Sequence, residues 1–178
     1  MTPADAETSG TGGGLRYLTE EVCPEMVAQE QSHSCQVACA RQLLIDAGVI
    51  MTETELAERI EYHEGSGTDA KDIAALLTRL HPNDRFMGGT IEPGFLESVT
   101  GVAPWIASVK TLSGSRHAVI VDKVANGIVH IRDPWGLFGP GSSTGSRATM
   151  ELGNFHDHWR AGFHLSVFRQ RTSQGAQS

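Results

Sequence analysis

Three side chains of this 178-residue sequence have the types and settings that nucleophilic chemistry requires: Cys35, His117 and Asp133. A thiol becomes a strong nucleophile where a helix N-terminus or a neighbouring base favours its thiolate. Cys35 ends the polar run Gln29-Glu30-Gln31-Ser32-His33-Ser34 and begins an apolar helical pattern. The thiol is therefore expected at the unsatisfied N–H groups of a helix start. A free cysteine is more often a small buried hydrophobe, but a Ser-His-Ser approach is too polar for that role. Cys39 stands one turn further in and reads as core, and Cys23, beside Pro24, reads as structural.

His117 opens the apolar run His117-Ala118-Val119-Ile120-Val121, and Asn126-Gly127 is a two-residue hairpin signal. The chain returns through Ile128-Val129-His130-Ile131-Arg132 to Asp133-Pro134. A turn centred on Asn126-Gly127 sets His117 opposite roughly residue 136 and Asp133 opposite roughly residue 120, about one strand diagonal apart when a bulge or twist intervenes. A carboxylate so placed can accept from an imidazole, fix its tautomer and stabilise the imidazolium. The oxyanion of an acyl-transfer intermediate needs donors. The Cys35 N–H is one, and Gln29 and Gln31 are both candidates for a side-chain amide, between which spacing does not choose. Cys35 and Cys39 have the spacing of a metal pair, but no second Cys/His pair stands at ligand spacing, so neither a metal nor a cofactor is expected. His156 and His158, beside Trp159, read as surface or helix-end histidines.

The elements that must position these residues fall into two halves. Cys35 to Ala47 reads as a long buried helix, with Gly48 as its stop. Thr52-Glu53-Thr54-Glu55 is a capping box for a helix over 53–62, and Gly65-Ser66-Gly67 is a loop. Thr68 or Asp69 starts a third helix that Pro82 ends. Pro93 to Thr100 suggests a short helix. Trp105–Val109, His117–Val124 and Ile128–Arg132 read as strands, and Trp135–Arg147 as a Gly/Ser-rich loop. Ala148–Leu152 reads as a further strand, Asn154 as the cap of a short helix through Trp159, and Phe163–Arg169 as a closing strand. Leu15 to Met26 gives no regular pattern. Helices first and antiparallel strands second predict an α+β domain over 15–170, flanked by polar tails at 1–14 and 171–178.

Hydrophobic residues are 39% and charged residues 20%, an ordinary globular balance, and the formal net charge of −7 comes without any Lys/Arg cluster. A nucleic-acid partner is therefore not expected. Nor is a membrane partner, since no apolar run approaches the span of a bilayer. The first residues lack a basic and an apolar signal region, which predicts cytoplasmic synthesis and is compatible with export by a machine that needs no cleavable signal. Three cysteines do not suggest a disulfide framework.

In order and spacing, residues 25 to 168 resemble the papain-like fold, and most of all the double-glycine leader peptidases that process bacteriocin precursors. The resemblance rests on Gln29, six residues before Cys35-Gln36-Val37-Ala38-Cys39; on His117-Ala118-Val119-Ile120-Val121; on Asp133-Pro134-Trp135-Gly136; and on Phe155, Trp159 and Gly162 near the end. It implies a cysteine protease with a Cys35-His117-Asp133 triad, with Gln29 rather than Gln31 as the oxyanion donor, acting on a protein or peptide substrate. Two departures stand out. The family's Asp-Cys-Gly is here Ser34-Cys35-Gln36, so Gln36 is expected to project into the cleft and re-aim it. Leader peptidases are usually fused to a membrane transporter, whereas no membrane segment is read here, and in this the sequence resembles free-standing papain-fold effector or toxin domains, whose partners include cognate inhibitors or immunity proteins. Trp135 is expected to line the cleft or pack beneath the Asp; Gln36 and Trp135 are the candidate substrate-binding residues. The same triad serves deamidases and acyltransferases, and an inactive papain-like domain would bind peptides without turnover.

Overall fold

The computed structural model describes residues 14–60, 69–102 and 104–170. The expected tails, apart from Gly14, and the Gly65-Ser66-Gly67 loop lie outside these residues, as does the end of the 53–62 helix.

The described residues are organised on an antiparallel sheet. Strands β1 (Thr19–Val22), β2 (Phe86–Thr90), β3 (Trp105–Lys110), β4 (Arg116–Ala125), β5 (Ile128–Asp133), β6 (Ser146–Glu151) and β7 (Leu165–Arg169) follow the order β1-β6-β5-β4-β3-β7-β2. The β4–β5 hairpin turns where its sequence demands: Asn126 and Gly127 both take positive φ, 54° and 74°, the geometry that matches strand twist in a two-residue turn.

Among the described residues, five helices flank the sheet: α1 (Cys35–Asp46), α2 (Glu53–Arg59), α3 (Ala70–Leu80), α4 (Leu96–Thr100), which follows a 3-10 turn at Pro93–Phe95, and α5 (Leu152–Ala161). The capping box before α2 forms in both directions: the Glu55 N–H donates to Thr52 Oγ1 at 3.1 Å and the Thr52 N–H to Glu55 Oε2 at 2.8 Å. Asp69 caps α3.

Alternate residues of the central strands feed two cores. Ala118 and Ile120 of β4 pack with Cys39, Leu43 and Leu44 of α1 and with Ile73 and Leu77 of α3. Val119 and Val121 pack with Trp105, Phe155 and Trp159. That two-sided burial is why β4 reads as an unbroken apolar run. By fixing both faces it fixes the strand that carries His117.

Several elements differ from expectation, β6 among them, which starts at Ser146 inside the expected loop. β1 is a mostly exposed edge strand of sequence Thr-Glu-Glu-Val, so it carries no apolar alternation. β2, Phe-Met-Gly-Gly-Thr, is a glycine-containing edge with no strand signal either. Gly88 is required there, since a Cβ would stand 2.1 Å from the Ala70 carbonyl oxygen. α5 begins at Leu152, two residues before the expected cap, because the Leu152 N–H is taken by the Gly127 carbonyl at 2.9 Å. Phe163 and His164 turn with positive φ of 60° and 53°, so the closing strand starts at Leu165.

The β4–β5 register carries the bulge that the expected nearness of His117 and Asp133 allowed for. Ala125 faces Ile128, Val124 faces Val129 and Lys123 faces His130, the spacing of a simple two-residue turn. The register then slips by one at Asp122, so that Ile120 faces Arg132. Without the slip, Asp133 would face Ile120, three residues from His117 and therefore on the opposite face. With it, Asp133 continues the ladder beside Val119, two residues from His117 and on the same face.

Candidate active site

Helix α1 begins at Cys35, and its start is unusual. Ser34 occupies the N-cap position without capping, because its hydroxyl is engaged with Gln31: it donates to Gln31 O at 3.1 Å and accepts from Gln31 N–H at 3.0 Å. The Ser34 side chain therefore does not cap α1. The half-buried Cys35 thiol sits at this end, while Cys39, fully buried, points its sulfur at the Ala118 carbonyl at 3.6 Å, and burial pushes its thiol well above the ordinary range. The two cysteines thus serve different surroundings, and among the described residues no group of three or more His, Cys, Asp and Glu side chains could hold a metal.

His117 meets Asp133 at 2.7 Å from Nε2 to Oδ1, with both side chains buried. Burial alone would push the imidazole down. The charge and hydrogen bond of Asp133, joined by the hydrogen bond and charge of Cys35, outweigh it and raise the imidazole to about 10. With Nε2 committed to Asp133, Nδ1 is the ring nitrogen left for the thiol. The structure therefore brings together the three residues singled out by type and spacing.

Asp133 is fully buried and accepts three hydrogen bonds. Besides His117, the Trp135 N–H donates to Oδ1 at 2.9 Å and the Tyr17 hydroxyl donates to Oδ2 at 2.6 Å. Tyr17 comes from the segment that gave no pattern in the sequence, and nothing about a lone tyrosine 116 residues before an aspartate marks it. The Trp135 ring stands edge-on to His117, with centroids 6.4 Å apart, so it walls the imidazole. Gly136 follows at φ +70°, where a Cβ would stand 2.8 Å from the Thr144 carbonyl oxygen, which accounts for a glycine at this place.

Of the two glutamines, Gln29 is buried and Gln31 is exposed. The Gln29 backbone is tied to the Asp133 turn: its N–H donates to Pro134 O at 2.8 Å and its carbonyl accepts from Gly141 N–H at 2.9 Å. Its side-chain Nε2 donates to Gln31 O at 2.7 Å, leaving the second amide proton unassigned, and its Oε1 is buried without a partner. Gln36 turns toward the sheet, donating from Nε2 to Ser108 Oγ at 3.1 Å with Oε1 buried.

Beside the helix start lies a cavity of about 220 Å³, lined by residues that include His33, Ser34, Val37, Glu53, Ala57 and Ile60. Glu53 accepts from the Glu30 N–H at 3.1 Å, which braces the loop leading to Cys35, and burial raises its carboxyl. A larger groove of about 560 Å³ lies at the far, β2–β7 edge, between Met87, Ile91, Phe95, Val99 and Phe168, and contains none of these residues.

No family model matches the sequence, and no curated protein matches it. Solved structures do match. A protein described as a C39-like peptidase from Bacillus anthracis aligns with a TM-score of 0.60 at 16% identity, over 88% of this chain and all of that one. The peptidase domain of Streptococcus ComA, a bifunctional ABC transporter of a quorum-sensing pathway, aligns at 0.59 and 20%, over 82% and 97%. A double-glycine motif protease of an AMS/PCAT transporter, solved with its leader peptide, aligns at 0.59 and 13%, over 85% and 93%. The chain shares their papain-like α+β fold.

Proposed function

We propose that this chain is a cysteine peptidase in which Cys35 is the nucleophile, His117 the acid–base, Asp133 its orienting carboxylate and Gln29 an oxyanion donor. The observation that carries the reading is the buried His117–Asp133 contact of 2.7 Å with Cys35 as the other partner of the same imidazole. The fold shared with double-glycine peptidase domains supports it at the level of architecture.

The Cys35 thiol passes its proton to His117, whose imidazolium the Asp133 carboxylate stabilises. The thiolate attacks the scissile carbonyl, and the resulting oxyanion meets the Cys35 N–H at the helix start together with the second amide proton of Gln29. The imidazolium then protonates the leaving amine, and a water deprotonated by His117 hydrolyses the thioester. The cavity beside Ser34 and Val37 receives substrate on one side of the nucleophile, and Trp135 shields the imidazole.

Fragment N-terminus mapping in a bacterial lysate treated with the protein tests the reading. The wild type is expected to generate new N-termini that Cys35→Ala and His117→Ala do not, while Cys39→Ala still generates them. Ammonia release or new crosslinks without new N-termini would replace peptidase by deamidase or acyltransferase. Identical fragments from wild type and Cys35→Ala would overturn the assignment.

A further inference from the structure

We infer that Tyr17 is a positioning residue of the catalytic centre, so that the working unit is a four-residue relay, Cys35–His117–Asp133–Tyr17, rather than a triad. The inference rests on the reading of Cys35 and His117 given above. A carboxylate that orients an imidazole must present one oxygen to the ring and hold it there. In a fully buried site its other oxygen needs donors of its own, because no water solvates it. Asp133 Oδ1 is shared by His117 Nε2 and the Trp135 N–H; Oδ2 takes the Tyr17 hydroxyl at 2.6 Å. This is the short end of the O–H···O range expected when the acceptor is charged. Burial and the adjacent Asp133 carboxylate hold the phenol well above its ordinary range, so Tyr17 stays a donor throughout the working pH of an enzyme.

The segment that brings Tyr17 is anchored on both sides. The Gly14 carbonyl accepts from Leu112 N–H at 2.9 Å, and Leu15 is buried in the core. The Arg16 N–H donates to His158 Nε2 at 3.3 Å, while His158 Nδ1 donates to Lys110 O at 2.6 Å. The Leu18 N–H donates to Thr149 O at 2.7 Å, and β1 then pairs with β6. Tyr17 is thus held at the carboxylate by backbone bonds immediately before and after it.

The hydroxyl has a defined effect. By donating to Oδ2 it draws charge away from Oδ1. Asp133 then orients His117 without binding the imidazolium so tightly that it cannot give its proton to the leaving amine. Removing the hydroxyl concentrates charge on Oδ1 and raises the proton affinity of the His117–Asp133 pair.

Tyr17→Phe keeps the ring and removes only the hydroxyl. The expected result is a fall in kcat of about tenfold, the share of one charge-assisted hydrogen bond, with KM changed by less than about twofold because the hydroxyl is spent on Asp133. The alkaline limb of the pH profile for iodoacetamide alkylation of Cys35 is expected to move upward, and so is the His117 titration followed by imidazole NMR. Neither of these readouts needs peptide turnover, so a chain that alkylates as expected but cleaves nothing sinks the peptidase reading and leaves this one standing. Thr19→Val is the control. It breaks the Thr19–Thr149 hydroxyl pair of 2.6 Å between β1 and β6 without touching Asp133, and is expected to leave both pH profiles unmoved. Profiles in Tyr17→Phe that superimpose on the wild type, or that move equally in Thr19→Val, would reduce Tyr17 to a structural peg and overturn the inference.

Discussion

At the scale of the residue, the centre is decided by competition between burial and partners. His117 is buried, which by itself favours the neutral ring; Asp133 and Cys35 reverse that and hold the folded-state imidazole near 10 against 6.5 for a free one. A group whose folded value is raised stabilises the fold fully below its unfolded value and loses that contribution as pH climbs through the folded one. His117→Gln is therefore expected to lower the urea midpoint most at pH 6 and progressively less as pH rises through about 10. An unchanged difference across that window would show that the ring is held neutral. Gln36 follows the same logic of partners, since its amide donates to Ser108 Oγ of β3.

At the scale of the element, the one-residue slip at Asp122 makes the site possible, and an ion cluster holds it. Arg132 donates from Nε to Asp122 Oδ2 at 2.9 Å and from Nη2 to Asp122 Oδ1 at 2.9 Å. It also reaches Asp46 in the last turn of α1, at 3.2 Å from Nη1 and 2.9 Å from Nη2. The residue before Asp133 is thereby bonded to the bulged residue of β4 and to the far end of the helix that starts at Cys35. Gln42 of α1 extends the bracing, giving Nε2 to Asp46 at 2.8 Å and accepting from Val27 N–H at 2.8 Å. Arg132 is mostly buried and its two carboxylate partners are partly exposed. Arg132→Met is thus expected to cost roughly 2–3 kcal/mol in urea unfolding, less than a fully buried pair because water screens the acids it leaves behind. A stability equal to the wild type would show that the bulge needs no clamp.

At the scale of the whole molecule, the sheet separates two cores, and the Cys35–His117–Asp133 cluster forms at the start of the helix that packs on one of them. Cys39 and Cys23 are buried, whereas Cys35 is half exposed at the helix start. Brief iodoacetamide treatment of the native protein should therefore add one label, at Cys35, and unfolding in urea should open all three cysteines, as intact-mass measurement would show. Native labelling spread over two or three sites would mean that the fold opens around its core on the timescale of alkylation.

The sequence by itself determined the residue types, the hairpin turn and the helix start, because each is written in a local pattern. Cys35 lies at a polar-to-apolar change, Asn126-Gly127 dictates its turn, and β4 shows its two-sided burial as an unbroken apolar run. That was enough to name Cys35, His117 and Asp133 and to anticipate an α+β domain with antiparallel strands. The tertiary structure alone decided which face Asp133 takes, since a one-residue slip at Asp122 moves every following side chain across the sheet and leaves no mark in hydropathy. It alone placed Gln29 in the buried turn against Pro134 and Gly141 while leaving Gln31 exposed, and it alone brought Tyr17 to Asp133. These are contacts between distant segments, set by how edge strands dock on a sheet, and a chain read in order carries no signal for them.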